Sequence, residues 1–460
     1  MSNLRNSTTA RWTALILLAS MMFFAYMFVD VLSPLKTMLE TELSWSSSVF
    51  GNVTGSEYFL NVFAFFLIFA GIILDKMGVR FTALLSAAVM VLGAAIKWFA
   101  VSSYFAGSGV ETFLNSFWPA FPASAKLACV GFAIFGCGVE MAGVTVSKGI
   151  VKWFTGKELA LAMGIEMAIA RLGVFAVFRI SPRIAESFSA ISAPVLFCLI
   201  LLLVGFICFL AYFAMDRNLE KELKAQDTAP EDPFKISDIG KLFGSRTFLI
   251  VSGLCVLYYS AIFPFQKFAA NMLENRLHIS STEASDIFSW FPIGAMVLTP
   301  LLGSFLDNRG KGATMLIWGA VLMCGCHLVF ALVPATAFSP LVAYSAIILL
   351  GVSFSLVPAA LWPSVPKLVE GRYLGSAYSV IFWIQNIGLW AFPLFIGVVL
   401  DATNPGVTNI IAAGGAATYD YTLPMLIFAS LGILALLLGL WLKSEDKKKG
   451  YGLELPNRKA

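Results

Sequence analysis

The chain has 460 residues, of which 59% are hydrophobic and 13% charged, with a mean hydropathy of +0.83 and a formal net charge of +4. Soluble domains carry about 25% charged residues, so this composition excludes a soluble globular protein and describes a chain that crosses a membrane repeatedly. The seven cysteines lack CxxC spacing and His278 and His327 stand alone, so neither a metal, a disulfide framework nor a cofactor is expected, and the charge distribution points to topology rather than to a nucleic-acid partner.

Twelve helices are predicted in chain order, near 12–37, 47–74, 79–103, 125–151, 158–184, 192–215, 246–272, 282–306, 312–334, 339–363, 373–400 and 420–442. The run from Trp12 to Val29 is too long for a signal-peptide core, and no small-residue cleavage site follows before Asp30, so no cleavable signal is expected. Most of the 31 Lys and Arg residues fall at the two ends and in the even-numbered loops, whereas 104–124, 335–339 and 401–420 hold none. The positive-inside rule then places both termini in the cytoplasm. Residues 1–215 form an N-terminal six-helix bundle, 216–245 a cytoplasmic linker, and 246–460 a C-terminal six-helix bundle with a short cytoplasmic tail. The linker begins DRNLEKELKAQDTAPEDPF, which predicts a short amphipathic piece followed by a flexible segment.

The two halves repeat each other. GIILDKMG at 71–78 and GSFLDNRG at 303–310 share G-x-x-L-D-x-x-G, and GKELALAMGIEMAIARLG at 156–173 aligns with GRYLGSAYSVIFWIQNIG at 371–388. Glycine permits close helix approach and tight turns, and a carboxylate between two helix ends can pair with a base or cap a neighbouring helix. Gly71, Asp75 and Gly78, with Gly303, Asp307 and Gly310 in the second copy, therefore form either a gate or a plain tight turn; Lys76 follows the first aspartate, and Asn308 replaces that base in the second copy.

With Arg80 the first copy reads G-x-x-x-D-(R/K)-x-G-x-(R/K), which resembles the signature of the major facilitator superfamily and implies a gating role for Gly71, Asp75, Lys76, Gly78 and Arg80. The resemblance implies an all-α integral membrane fold of twelve transmembrane helices in two pseudo-symmetric six-helix bundles. KWFTGKELALAMGIEMAIARLG, FGCGVEM, YYSAIFPF, ALWPSVPKLV and LGSAYSVIFWIQNIGL are similar to the lysosomal dipeptide uniporter branch of that superfamily. Glu140 and Arg171 match that branch's acidic and basic substrate-binding positions. Glu166 stands where the branch tends to carry an uncharged residue.

The buried charges fit a zwitterionic cargo. With a rise of 1.5 Å per residue, Glu140 lies about 16 Å and Arg171 about 21 Å from the cytoplasmic ends of their helices, near the middle of a core roughly 30 Å thick. A charge there persists only if paired or facing water. The planar fork of Arg171 suits a peptide carboxylate, and Glu140 suits its ammonium; the bland alternative is a permanent ion pair locking two helices. Glu57 is equally deep, and either contacts the substrate or pairs structurally. Glu166 can contact an amine, tune Arg171 or face water, and Asp30 and Lys97 can pair with each other. The second half offers Tyr258, Tyr259, Trp362, Gln385 and Asn386 instead of charge, with Asn386 at the repeat position of Arg171 and Ser355 at that of Glu140. The first half is therefore expected to hold the invariant ends of a peptide and the second its variable side chain, with Pro264, Pro363 and Pro393 bending their helices.

The resulting expectation is a secondary transporter for dipeptides, working as a monomeric uniporter by alternating access in a bacterial inner membrane. Proton coupling through Glu57, Glu140 or Glu166 and organic-anion transport stay open as alternatives. A drug antiporter lacks support in GVFAVFRISPRI. No P-loop, HExxH or GxSxG appears, so neither a primary pump nor an enzyme is expected. Nothing in the sequence requires an accessory subunit.

Overall fold

A computed structural model describes residues 6–154, 158–223, 239–334, 336–369 and 374–456. Among these residues all extended regular structure is helical, and eleven helices are long and apolar enough to cross a membrane. The chain divides into two compact units, 1–45 with 52–231, and 46–51 with 232–460.

The first unit begins with α1 (Thr8–Asp30) and continues through a 3-10 turn at Ser33–Leu35 into α2 (Lys36–Leu43). Next come α3 (Ser47–Gly55), whose first turn belongs to the second unit, then α4 (Phe59–Phe63) and α5 (Phe66–Ala100). A short α6 (Gly109–Asn115) precedes the long α7 (Ala123–Phe154), α8 (Leu159–Phe188) and α9 (Ser192–Leu223). The second unit holds α10 (Ile239–Phe243), α11 (Arg246–Leu277), α12 (Ser281–Phe288), α13 (Trp290–Arg309) and α14 (Gly312–Leu332). It closes with α15 (Pro340–Leu368), α16 (Leu374–Thr403), α17 (Val407–Ala412) and α18 (Thr422–Lys449).

The second predicted helix, 47–74, is not continuous. It breaks into α3, a 3-10 turn at Ser56–Tyr58, α4, and the start of α5, with Phe65 in the left-handed region at φ +52°. Ser56 turns its hydroxyl back onto the Val53 carbonyl at 2.7 Å, which competes with the helical ladder. Within α5, Gly78 (φ +78°, ψ +168°) ends the second crossing and starts the third. The broken second crossing contributes no separate long span, so among the described residues eleven helices meet the length criterion beside it.

The motif glycines divide in role. Gly78 and Gly310 take positive φ, as a turn there requires. Gly71 and Gly303 do not mark close helix approach: a Cβ at either would meet no atom within 4 Å. The close approaches in the first unit lie elsewhere. A Cβ on Gly93 would sit 2.4 Å from the backbone of Phe135, and one on Gly131 2.6 Å from that of Lys97, so α5 and α7 pack backbone to backbone.

At the basic end of the first unit, Asp75 pairs with Lys148 at 2.6 Å. Asp216, fully buried, accepts from Lys152 at 2.6 Å, Trp153 Nε1 at 3.1 Å and the Tyr212 hydroxyl at 3.2 Å, with Arg80 Nε at 3.8 Å. The predicted linker starts at Asp216, but this residue is part of α9, which runs on to Leu223. Residues 224–238 of that linker, with Lys157 and Arg372, lie outside the described residues.

The second unit carries the repeat of this arrangement with an insertion. Lys367 and Asp446 stand at the repeat positions of Lys152 and Asp216, and the C-terminal tail lies between them. Lys367 Nζ donates to the Gly452 and Leu455 carbonyls at 2.9 and 3.2 Å, and Asp446 accepts from Leu453 N at 3.0 Å. Glu454 accepts from the backbone N and the hydroxyl of Thr314, both at 2.8 Å, and so caps α14 from a distant part of the chain. Its backbone carbonyl would lie 2.4 Å from a Cβ on Gly310. At the other end of the second unit, Asp401 accepts from the backbone N of Ser47 and Ser48 at 2.9 and 2.8 Å, capping the start of α3.

Candidate functional site

Polar residues of the first unit gather where α1, the broken second crossing, α7 and α8 meet. Two glycines allow this. A Cβ on Gly136 would lie 1.8 Å from the Glu57 carbonyl oxygen, so the Ser56–Tyr58 turn rests directly on α7, one turn from Glu140. A Cβ on Gly173 would lie 2.3 Å from the Phe23 carbonyl oxygen, so α8 meets α1 one turn before Tyr26. The Arg171 guanidinium stands 5.7 Å from the centre of the Tyr26 ring, within cation–π range.

Around the Tyr26 hydroxyl, Arg171, Glu166, Glu140 and Glu57 all lie within electrostatic reach. Tyr58 feels Glu57, Glu140, Asp30 and Tyr26. Glu57 is 3% exposed, whereas Glu140, Glu166 and Arg171 are half-buried. One turn beyond Glu57, Asn61 is 2% exposed, and neither of its side-chain polar atoms has a hydrogen-bond partner among the described residues. The group thus combines one guanidinium, the carboxylates of Glu57, Glu140, Glu166 and Asp30, and two phenols.

Asp30 and Lys97 are both buried. Asp30 accepts from the Ser33 hydroxyl at 3.0 Å, and the Lys97 ammonium sits 3.3 Å from the centre of the Phe132 ring. Lys97 is therefore embedded in an aromatic group with Phe28 and Phe132.

The sequence-selected residues of the second unit separate into two groups. Tyr258 is fully buried and donates its hydroxyl to the Leu316 carbonyl, so it holds α11 to α14. Gln385 accepts from the Cys255 thiol at 3.4 Å, and Asn386 is 2% exposed. Ser355, at the repeat position of Glu140, donates to the Gly351 carbonyl of its own helix at 2.7 Å. Tyr259 and Trp362 form an aromatic wall instead. Their ring centres lie 6.3 Å apart, Trp362 stacks on Phe382 at 4.8 Å, and Tyr259 stacks on Phe263 at 5.4 Å. Trp362 is half-buried.

Of the residues singled out from sequence, Glu57, Glu140, Glu166 and Arg171 come together in one unit. Tyr26, Tyr58 and Asn61 were missed because nothing in a run such as YMFVD or EYFLN separates a polar residue at the site from one at a packing contact. The spacing of Asn61 four residues after Glu57, on the same helical face, is the signal that was available.

The family model for the Major Facilitator Superfamily matches residues 18–273 and 266–456. The lysosomal dipeptide transporter MFSD1 of mouse is 28% identical over 402 residues, covering 85% of this chain and 80% of that protein. Human MFSD1 is 27% identical over the same shares. Among solved structures, the nucleoside transporter NupG superposes with a TM-score of 0.67 at 16% identity, covering 94% of this chain and 99% of its own. A bacterial homologue of the human lysosomal transporter Spinster, inward-facing and occupied, also gives 0.67 at 16% identity, covering 96% and 99%. At such identities the two structures speak to the fold alone.

Proposed function

This chain belongs to the Major Facilitator Superfamily, as a multi-pass membrane transporter and not an enzyme, and we propose that its cargo is a dipeptide with free ends, moved by uniport through alternating access. The observation that carries the reading is that Arg171, Glu166, Glu140 and Glu57 all lie within electrostatic reach of the Tyr26 hydroxyl inside a single unit. Arg171 receives the peptide carboxylate in a bidentate pair, and the Tyr26 ring beneath it limits the guanidinium's freedom. Glu140 receives the peptide ammonium, with Glu57 and Glu166 adding negative potential around it. The similarity to MFSD1, whose name declares dipeptide transport, supports the same cargo class. Tyr259 and Trp362 supply the apolar surface for variable side chains, whereas Tyr258 is reassigned to packing.

The protein works as a monomer without an accessory subunit, with both termini in the cytoplasm and the chain in a bacterial inner membrane. The distribution of Lys and Arg supports that orientation. Gating is assigned to Asp75, Lys76, Gly78 and Arg80 at the basic end of the first unit, supported by the Asp75–Lys148 and Arg80–Asp216 contacts. Asp307 and Gly310 join the set by repeat, and Gly71 and Gly303 belong to it by motif position and not by close helix packing.

Thermal-shift titration of the purified protein tests the reading. Dipeptides are expected to raise the unfolding temperature, and N-acetylated and C-amidated dipeptides are not. Loss of a charge-assisted contact costs about 1.5–3 kcal/mol, so Arg171→Gln and Glu140→Gln should each weaken dipeptide binding by at least about tenfold. Equal stabilisation by acetylated dipeptides would favour an organic-anion carrier. In proteoliposomes, accumulation of dipeptide above its external concentration under an imposed pH gradient would replace uniport with proton coupling.

A further inference from the structure

The basic end of the first unit carries a groove that shares Arg80 with the proposed gate and takes no part in holding the cargo. It has a volume of about 190 Å³ and is lined by Met77, Arg80, Phe81, Phe213 and Arg217, between the start of the third crossing and the end of the sixth. That is on the order of six water volumes, enough for a phosphodiester group. Arg80 lies 5.6 Å from the centre of the Phe213 ring and reaches Asp216 through Nε at 3.8 Å. Asp216 is shared with Lys152, so one buried carboxylate serves two cations, and Arg217 adds a third positive charge at the exposed rim. The outer wall is apolar: Met77 is 53% and Phe81 44% exposed.

The second unit shows what such a position binds. Its groove of about 610 Å³ lies at the repeat-related junction, between the start of α14 and the end of α18, and is lined by Lys311 and Lys443 with Phe305 and Trp318. There an anion is already in place: the Glu454 carboxylate stands 4.0 Å from Lys311 and 3.9 Å from Lys443. The first unit has two arginines and an apolar wall at the same junction.

We propose that the Arg80–Arg217 groove binds the phosphate of an anionic phospholipid, taking from the bilayer the counter-charge that the second unit takes from its own tail. The headgroup phosphodiester lies between the guanidiniums, and the acyl chains run along Phe81 and Met77. Guanidinium forks suit phosphate oxygens, and basic pockets between helices at an interface select anionic headgroups.

The test is a thermal-shift titration of the full-length protein in detergent with phosphatidylglycerol, phosphatidylcholine, inorganic phosphate or glycerol 3-phosphate. Phosphatidylglycerol is expected to raise the unfolding temperature where phosphatidylcholine and both soluble phosphates do not. Arg217→Gln, a change at an exposed position, should fold normally and weaken the phosphatidylglycerol response about fivefold. Arg246→Gln, which removes an exposed arginine from the other unit, should leave that response at the parent level. An equal response to phosphatidylcholine, an unchanged response in Arg217→Gln, or an equal loss in Arg246→Gln overturns the proposal. Stabilisation by soluble phosphate at matching concentration makes this a free-phosphate site and overturns the lipid assignment.

Discussion

A methyl group at position 136 would meet the carbonyl oxygen of Glu57 at 1.8 Å, and neither backbone can yield without moving the turn that carries the carboxylate. Gly136→Ala is therefore expected to cost about 1–3 kcal/mol through overpacking and to weaken dipeptide binding as well. Gly143→Ala is the matched control on the same helix, because a Cβ there meets nothing within 4 Å. It should be neutral or slightly stabilising, since alanine is the better helix former by about 1 kcal/mol. Thermal unfolding with and without dipeptide measures both effects. A Gly136→Ala protein as stable as Gly143→Ala would refute the packing assignment. The contact that positions Glu57 is invisible in the sequence around it. Its partner surface is a glycine 79 positions further along the chain, and no local pattern in GSEYFLN points there.

Among the helices, the two basic ends solve one problem in two ways. In the first unit, Asp216 draws Lys152, Trp153 and Tyr212 together without help from any other segment. Asp216→Asn leaves Lys152 beside a neutral amide and should destabilise the protein by about 3 kcal/mol, read as a lowered unfolding temperature. In the second unit the tail carries out the same task. Deleting residues 451–460 removes the Glu454 cap on α14 and the acceptors of Lys367, so a loss of about 1–2 kcal/mol is expected. Glu454→Gln should lose less, because an amide oxygen can still accept from Thr314.

The helices themselves were legible because their apolar runs are long and their ends are marked by charge. The break between Gly55 and Phe66 was not legible, since Phe59, Phe63 and Phe65 read as an unbroken apolar stretch. What interrupts the helix is backbone geometry at Phe65 and the turn at Ser56–Tyr58. The role of the tail was equally hidden, because YGLELPN carries one acidic residue and no helical period.

At the scale of the whole molecule, the proposed topology rests on where the basic residues fall, and it can be checked directly. In a variant without native cysteines, Glu111→Cys should react with a membrane-impermeant maleimide in intact cells, and Lys449→Cys should react only after lysis. The opposite pattern would invert the proposed orientation. Charge depth along each helix was also readable from sequence, and it led to Glu140 and Arg171. The partition of roles between the halves was only partly readable. Repeat alignment gave Ser355 and Asn386 as counterparts of the charged pair, but not the anchoring of Tyr258 on Leu316 or the aromatic wall of Tyr259 and Trp362.

The fastening of Gly452–Leu455 onto Lys311, Gly312, Thr314 and Lys367 also dictates an order of assembly. The later half of the polypeptide can therefore be sealed only once residues 452–455, which follow its last spanning segment, have been made, while the earlier half is free to mature beforehand. An affinity tag fused directly after Pro456 would crowd this fastening, and a flexible spacer would relieve it.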